Sequence, residues 1–150
     1  MSYPTPALVA LGANVGDPVA SVVRAIDMLA SFSAAPVRRS SLWRTAPVGC
    51  PEGSPSFINA AVLIEPLPGE TPESLLDKLQ ALERQFGRRP SGVPNQPRPL
   101  DLDLIAFGAE TRRTPEFVLP HPRAHLRRFV LQPLAEIAPG FVLPGQTADI

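Results

Sequence analysis

Cysteine, net charge and long apolar runs are what this 150-residue sequence has least of. Its single cysteine, Cys50, permits no internal disulfide, and a reducing cytoplasm is the compartment that such usage fits. Fourteen basic residues balance fourteen acidic ones, so there is no net field to draw nucleic acid. No apolar run approaches the roughly 20 residues that cross a bilayer. The opening Met1-Ser2-Tyr3-Pro4 lacks the basic and then apolar pattern of a secretory leader. Proline is the opposite case, with twenty copies, but they fall between periodic apolar segments and punctuate loops. A chain of this length buries a core without disulfides or a structural metal, and one soluble domain over 1–150, acting as a monomer, is expected.

The apolar run 7–12, closed by turn residues 14–17, predicts a buried first strand. Asp17-Pro18 then reads as an N-cap followed by proline at the first helical position. Val22, Ile26, Leu29 and Ser33 keep helical spacing, widened by Val19, Val23 and Ala30, until Pro36 stops the pattern. Residues 37–45 alternate loosely as a second strand. Residues 46–55 form a proline- and glycine-rich loop, and 57–65 a third, β-branched strand. Thr71-Pro72-Glu73 opens a second helix, whose Leu75, Leu79, Leu82 and Phe86 form one stripe before Gly87 ends it. A second loop, 88–99, leads into a strand over 100–107. A hairpin over 108–120 and helical pieces over 124–130 and 132–138 follow. This order fits an α/β (α+β) chain with a ferredoxin-like βαββαβ core, an appended hairpin, and helices packed on a mainly antiparallel sheet.

The chemistry concentrates in Arg98-Pro99-Leu100-Asp101-Leu102-Asp103-Leu104. A period of two puts Asp101 and Asp103 on one face and the leucines on the other. Such a pair either solvates the outer face of a half-buried strand or holds hard cations such as magnesium beside phosphate oxygens. Arg88, Arg89 and Arg98 in the preceding loop offer forked, permanent charges for a polyphosphate, or else pair at the surface with Glu73 and Glu83. Asn59, inside an apolar strand, needs partners, whether a loop carbonyl or an amide-bearing heterocycle. Phe57 and Phe129 are core residues or walls for a flat ligand. The segment 12–17 lacks the Walker lysine and the G-x-G-x-x-G spacing, and reads as a tight strand-to-helix turn. His121 and His125 have the spacing of helical zinc ligands, but Pro122 disfavours a helix there and no H-E-x-x-H glutamate lies between them.

Taken together, Phe57-Ile58-Asn59-Ala60-Ala61-Val62, Gly87-Arg88, Pro97 to Leu104 and Leu119-Pro120-His121-Pro122-Arg123 resemble the 6-hydroxymethyl-7,8-dihydropterin pyrophosphokinases. The likeness runs from Leu8 to Pro139. It implies an enzyme of folate synthesis that moves the β,γ-diphosphate of ATP onto the hydroxymethyl group of 6-hydroxymethyl-7,8-dihydropterin and releases AMP. By this resemblance Asp101 and Asp103 bind two magnesium ions. Arg88, Arg98, His121 and Arg127 contact the phosphates of ATP, with Gln80 and Glu83 on the nucleotide side. The pterin lies between Phe57 and Phe129, with Asn59 and the backbone around Thr45, Pro47 and Val48 at its polar edge. Arg88, Arg98, Asp101 and Asp103 form the catalytic set, and the loops 46–55 and 88–99 are expected to close over it. The chain departs from the family pattern at Pro90, Asn95 and Pro122, and Glu116 stands where an arginine is usual. The competing expectations are another magnesium-dependent nucleotidyl- or phosphotransferase using the same aspartates, and a non-catalytic pterin- or nucleotide-binding domain.

Overall fold

The computed structural model describes residues 4–45, 56–87, 99–121, 133 and 135–137. Five long elements carry it, three strands and two helices. Strand β1 (Ala7–Ala13) is buried throughout, and helix α1 (Pro18–Leu29) is capped by Asp17, whose Oδ1 accepts from the Ala20 amide at 3.1 Å. The expected helical stripe is found at Val22, Ala25, Ile26 and Leu29. It stops earlier than the spacing suggests: residues 30–32 tighten into a 3-10 turn, Ala30 is exposed, and Val19 is 41% exposed. Ser33 has left the helix because its hydroxyl serves other backbone groups. It accepts from the Glu65 amide at 3.1 Å and donates to the Ala35 carbonyl at 2.6 Å.

The expected strand over 37–45 is two short ones, β2 (Arg38–Arg39) and β3 (Trp43–Thr45), both antiparallel to β4 (Phe57–Ile64). Between them Ser40 to Leu42 oppose only Ala60 and Ala61, a bulge. Ser40, 2% exposed, fills it: its amide donates to the Ala61 carbonyl, and its hydroxyl accepts from the Ala61 amide, both at 2.9 Å. Helix α2 (Pro72–Gln85) starts at a capping box between Thr71 and Ser74. It ends at Phe86, with Gly87 at φ +91° in the position that favours glycine. Strand β5 (Asp101–Phe107) follows, then the expected hairpin of β6 (Arg112–Arg113) and β7 (Val118–Leu119).

The sheet runs β2-β4-β1-β5, with β3 continuing the β2 edge, and every neighbouring pair is antiparallel. This is the ferredoxin-like order, each β-α-β unit spanning a strand of the other. One face of the sheet carries Ala7, Val9, Leu11 and Ala13, with Ile58, Ala60, Val62, Ile64, Leu102 and Leu104. It packs on Val22, Ile26, Leu29, Leu75, Leu79 and Leu82 of the helices. Arg24 and Lys78 reinforce this layer from outside, over the Phe86 and Phe32 rings.

The opposite face carries Leu8, Ala10, Ala61 and Leu63, also buried, together with the polar side chains of Asn59, Asp101 and Asp103. Residues Pro133, Ala135, Glu136 and Ile137 are helical, as expected for 132–138, and they meet this side through β2 and β3. Arg38 Nη1 donates to the Ile137 carbonyl at 3.3 Å. The Glu136 carboxylate accepts from the Ser41 amide at 3.0 Å, the Ser41 hydroxyl at 2.6 Å and the Trp43 indole at 3.2 Å. The segments expected as loops over 46–55 and 88–98 and as a helical piece over 124–130 lie outside the described residues. Among the described residues, no helix is long and apolar enough to cross a membrane.

Leu79 is fully buried between the layers, so Leu79→Ala is expected to cost about 2–5 kcal/mol, read as a lower urea midpoint at unchanged slope. Hydrogen bonds from Ser41, its hydroxyl first, and from Trp43 hold the Glu136 carboxyl below its ordinary value. The folded value then lies below the unfolded one, so this tie is complete above the unfolded value and is lost as pH falls through the folded one. Trp43 is the only tryptophan. Its fluorescence is expected to change as pH drops below the ordinary carboxylate range of about 4, and Glu136→Gln should flatten that transition.

Candidate active site

The site is assembled by register. Gly12 of β1 pairs with Asn59 of β4 on one side and with Asp101 of β5 on the other, while Trp43 of β3 pairs with Asn59. Directly opposed residues in an antiparallel sheet point to one face, so Asn59, Gly12 and Asp101 form one row across it. Ala10 pairs with Asp103, which puts the second carboxylate in the next row on the same face. At about 4.8 Å per strand, Asn59 and Asp101 are roughly 10 Å apart across a floor made by glycine.

Beyond Asp103 the pairing shifts, with Val9 opposite Leu104 and Leu8 opposite Ala106, so Ile105 is an extra residue. The bulge resets the alternation, which is why Phe107 joins the helix-side core although it is an even number of residues from the aspartates. The Ile105 carbonyl accepts from the His121 amide at 2.9 Å, which seats His121 beside the carboxylates, its Nε2 3.9 Å from Asp103 Oδ1. Asp103 and His121 are both partly exposed, at 32% and 21% of their side chains.

Strand β5 ends the sheet, and an edge strand leaves backbone groups to be covered. Glu83 covers one: its Oε2 accepts from the Leu102 amide, between the two aspartates, at 2.7 Å. Outside this edge a cavity of about 390 Å³ opens between α2 and the hairpin, lined by Gln80 and Glu83, by Asp101 and Asp103, and by Glu116 and His121 among others. The hairpin is tied back to the start of α2 by Arg112, whose Nε is 2.5 Å from Glu73 Oε2. This bond holds the Glu73 carboxyl below its ordinary value and the Arg112 guanidinium above its own.

On the other side of Gly12, Asn59 is 6% exposed and its Nδ2 donates to Thr45 Oγ1 at 2.6 Å. The partner expected for a structural asparagine was a loop carbonyl; the hydroxyl of a neighbouring strand takes that place. Phe57, two residues before Asn59, is partly buried on the same face. The structure therefore brings together Asp101, Asp103, His121, Gln80 and Glu83 at the β5 edge, and Thr45, Phe57 and Asn59 across Gly12 from them. Arg88, Arg98, Pro47, Val48, Arg127 and Phe129 lie outside the described residues. Sequence reasoning missed Gly12, whose part depends on which residues flank it, and the Leu102 amide, whose need for a partner follows from β5 being an edge. From sequence Gly12 opens the turn read over 12–17, but the ladder continues through Gly12 to Ala13, so the glycine is not there for a turn.

The model of the 7,8-dihydro-6-hydroxymethylpterin-pyrophosphokinase family matches residues 8–139. The chain belongs to this family. Among curated pyrophosphokinases it is 39% identical over 132 residues to the 2-amino-4-hydroxy-6-hydroxymethyldihydropteridine pyrophosphokinase of Bacillus subtilis, covering 87% of this chain and 77% of that one. To the protein of the same name from Methylorubrum extorquens it is 38% identical over 147 residues, 95% of this chain and 89% of that one. The folate synthesis bifunctional protein of Arabidopsis thaliana is 34% identical over 130 residues, and there the match covers 87% of this chain but 26% of the plant protein. The pyrophosphokinase family match includes every residue of the row through Gly12 and both walls of the cavity.

Because Glu83 satisfies the Leu102 amide, Glu83→Ala is expected to destabilise the chain by about 1 kcal/mol and to speed hydrogen exchange at Leu102 selectively. Glu83→Gln keeps an acceptor and should restore most of that protection.

Proposed function

We propose that this chain transfers the β,γ-diphosphate of ATP to the hydroxymethyl group of 6-hydroxymethyl-7,8-dihydropterin, with Asp101 and Asp103 as the metal ligands. Its family makes it a transferase, a pyrophosphokinase of folate biosynthesis. The observation that carries the assignment of residues is the single row Asn59, Gly12, Asp101, which sets a buried amide and a carboxylate pair on one face at a separation that a small flat substrate spans.

The donor set fits magnesium. Two carboxylates on a stiff strand are hard oxygen ligands, and among the described residues no group of three or more His, Cys, Asp or Glu side chains is arranged to hold an ion. Magnesium is commonly bound by one or two carboxylates, with substrate phosphates and water completing its shell. Two such ions bound at Asp101 and Asp103 would supply charge neutralisation at the phosphate oxygens.

The protein's own part is placement and charge. Gln80 and Glu83 line the nucleotide side of the cavity, and His121, held by the Ile105 carbonyl, presents its ring to the phosphates. Arg88, Arg98 and Arg127 complete the cationic set with forks suited to phosphate. The pterin ring stacks between Phe57 and Phe129. Its polar edge meets Asn59, Thr45 and the backbone at Pro47 and Val48, and its hydroxymethyl arm reaches over Gly12 toward Asp101. The hydroxymethyl oxygen then attacks the β-phosphorus in line and gives up its proton to solvent, while the bond from that phosphorus to the oxygen bridging it to the α-phosphorus breaks, and AMP leaves with that oxygen. The setting for this reading is a cytoplasmic monomer in which residues 1–150 act as one domain.

Incubation with ATP, magnesium and the reduced hydroxymethylpterin is expected to yield AMP and pterin diphosphate in equal amounts. ADP in place of AMP would sink the assignment and favour a simple phosphotransferase. Asp101→Ala and Asp103→Ala should each leave the melting temperature nearly unchanged, because both side chains point away from the leucine core. Each should cost turnover roughly 10²–10³-fold or more.

A further inference from the structure

The floor between the pterin pocket and the carboxylates is a glycine that its backbone does not require. The glycines with positive φ are Gly16, Gly69, Gly87 and Gly108 among the described residues, and Gly12, paired on both sides near the end of β1, is not one of them. Any L-residue could adopt its conformation. The constraint is space: a Cβ on Gly12 would stand 3.1 Å from Asn59 Oδ1 and 3.9 Å from Phe57 Cδ1. The first distance is inside ordinary van der Waals contact, and the side chain that would have to yield is already fixed at its other end, Nδ2 to Thr45 Oγ1 at 2.6 Å. A hydroxyl thus anchors the Asn59 carboxamide at its nitrogen, and the absence of a side chain on Gly12 leaves room for its oxygen. Glycine within a strand commonly marks such a close approach.

We propose that Gly12 is a positioning residue for the pterin, giving the Asn59 carboxamide room to lie over β1. The inference rests on the pterin reading above. A methyl at position 12 turns the amide out of its plane. It does not touch the cavity at the outer edge of β5, because Gly12 is absent from its lining.

The test is Gly12→Ala, with pterin and ATP varied separately and pterin binding also titrated at equilibrium. The pterin KM and Kd are expected to rise about tenfold, a difference of about 1.4 kcal/mol, with the ATP KM and the melting temperature nearly unchanged. In an Asn59→Ala background the same substitution should change the pterin KM by less than about twofold, because its effect runs through that amide. A normal pterin KM, an additive effect in the double variant, or an equal loss for both substrates with a matching fall in melting temperature would overturn the proposal. Should Gly12→Ala not fold, Gly12→Ala in the Asn59→Ala background removes the carboxamide that the added methyl meets. Recovery of folding there, with a pterin KM within about twofold of Asn59→Ala alone, supports the proposal, and failure to fold or a further rise overturns it. Failure of the unaltered chain to bind the pterin would instead sink the functional reading.

Discussion

Pairing of β1 with β4 on one side and β5 on the other is the constraint from which the rest of the molecule follows. Because the side-chain period of a strand is two, that pairing decides at once which residues meet the helices and which take the opposite face. Val9 and Leu11 go to the core together with Ala60, Val62, Leu102 and Leu104, while Ala10 and Gly12 go to the other face with Asn59, Asp101 and Asp103. A slip of one residue in β5 would drive two carboxylates into the leucine layer, where their desolvation costs several kcal/mol each. The apolar core therefore enforces the position of the polar site. The cost of misplacing the aspartates is the cost of breaking the core.

Around that register the edges are handled by side chains. On the β5 edge Glu83 takes up the Leu102 amide, and the hairpin, tied to α2 through Arg112 and Glu73, provides the outer wall of the cavity. On the β2 and β3 edge Ser40 fills a bulge, and Glu136 gathers Ser41 and Trp43. Both edges carry functional groups next to these repairs. Thr45, which holds Asn59, is two residues from Trp43, and Leu102 lies between the two aspartates.

Much of this was legible in the sequence. Strand β1, strand β4 and helix α2 announce themselves through apolar runs, a capping threonine and a terminal glycine, and the Asp101-x-Asp103 alternation marks the face that the two carboxylates share. What was not legible depends on partners distant in the chain. Helical spacing continues to Ser33, but the Ser33 hydroxyl is engaged by Glu65, 32 residues away, and the helix stops at Leu29. The continuous strand expected over 37–45 is broken by Ser40, whose hydroxyl stands in for a ladder bond to Ala61. Gly12 could be read as part of a turn until its cross-strand neighbours were known, and Glu136 is an ordinary helical glutamate until Trp43 and Ser41 arrive beside it.

The bulge at Ile105 divides β5 into two stretches with independent phase. Before it, Asp101 and Asp103 take the face opposite Leu102 and Leu104; after it, Phe107 takes the helix-side face that the unbroken alternation would have denied it. Substitutions that retune the carboxylate stretch can therefore accumulate without inverting the hydrophobic stretch, and the reverse. Deletion of one residue at 105 would couple them again and force the strand to choose between its core and its site. In a strand of seven residues, one unpaired position lets binding and packing vary separately.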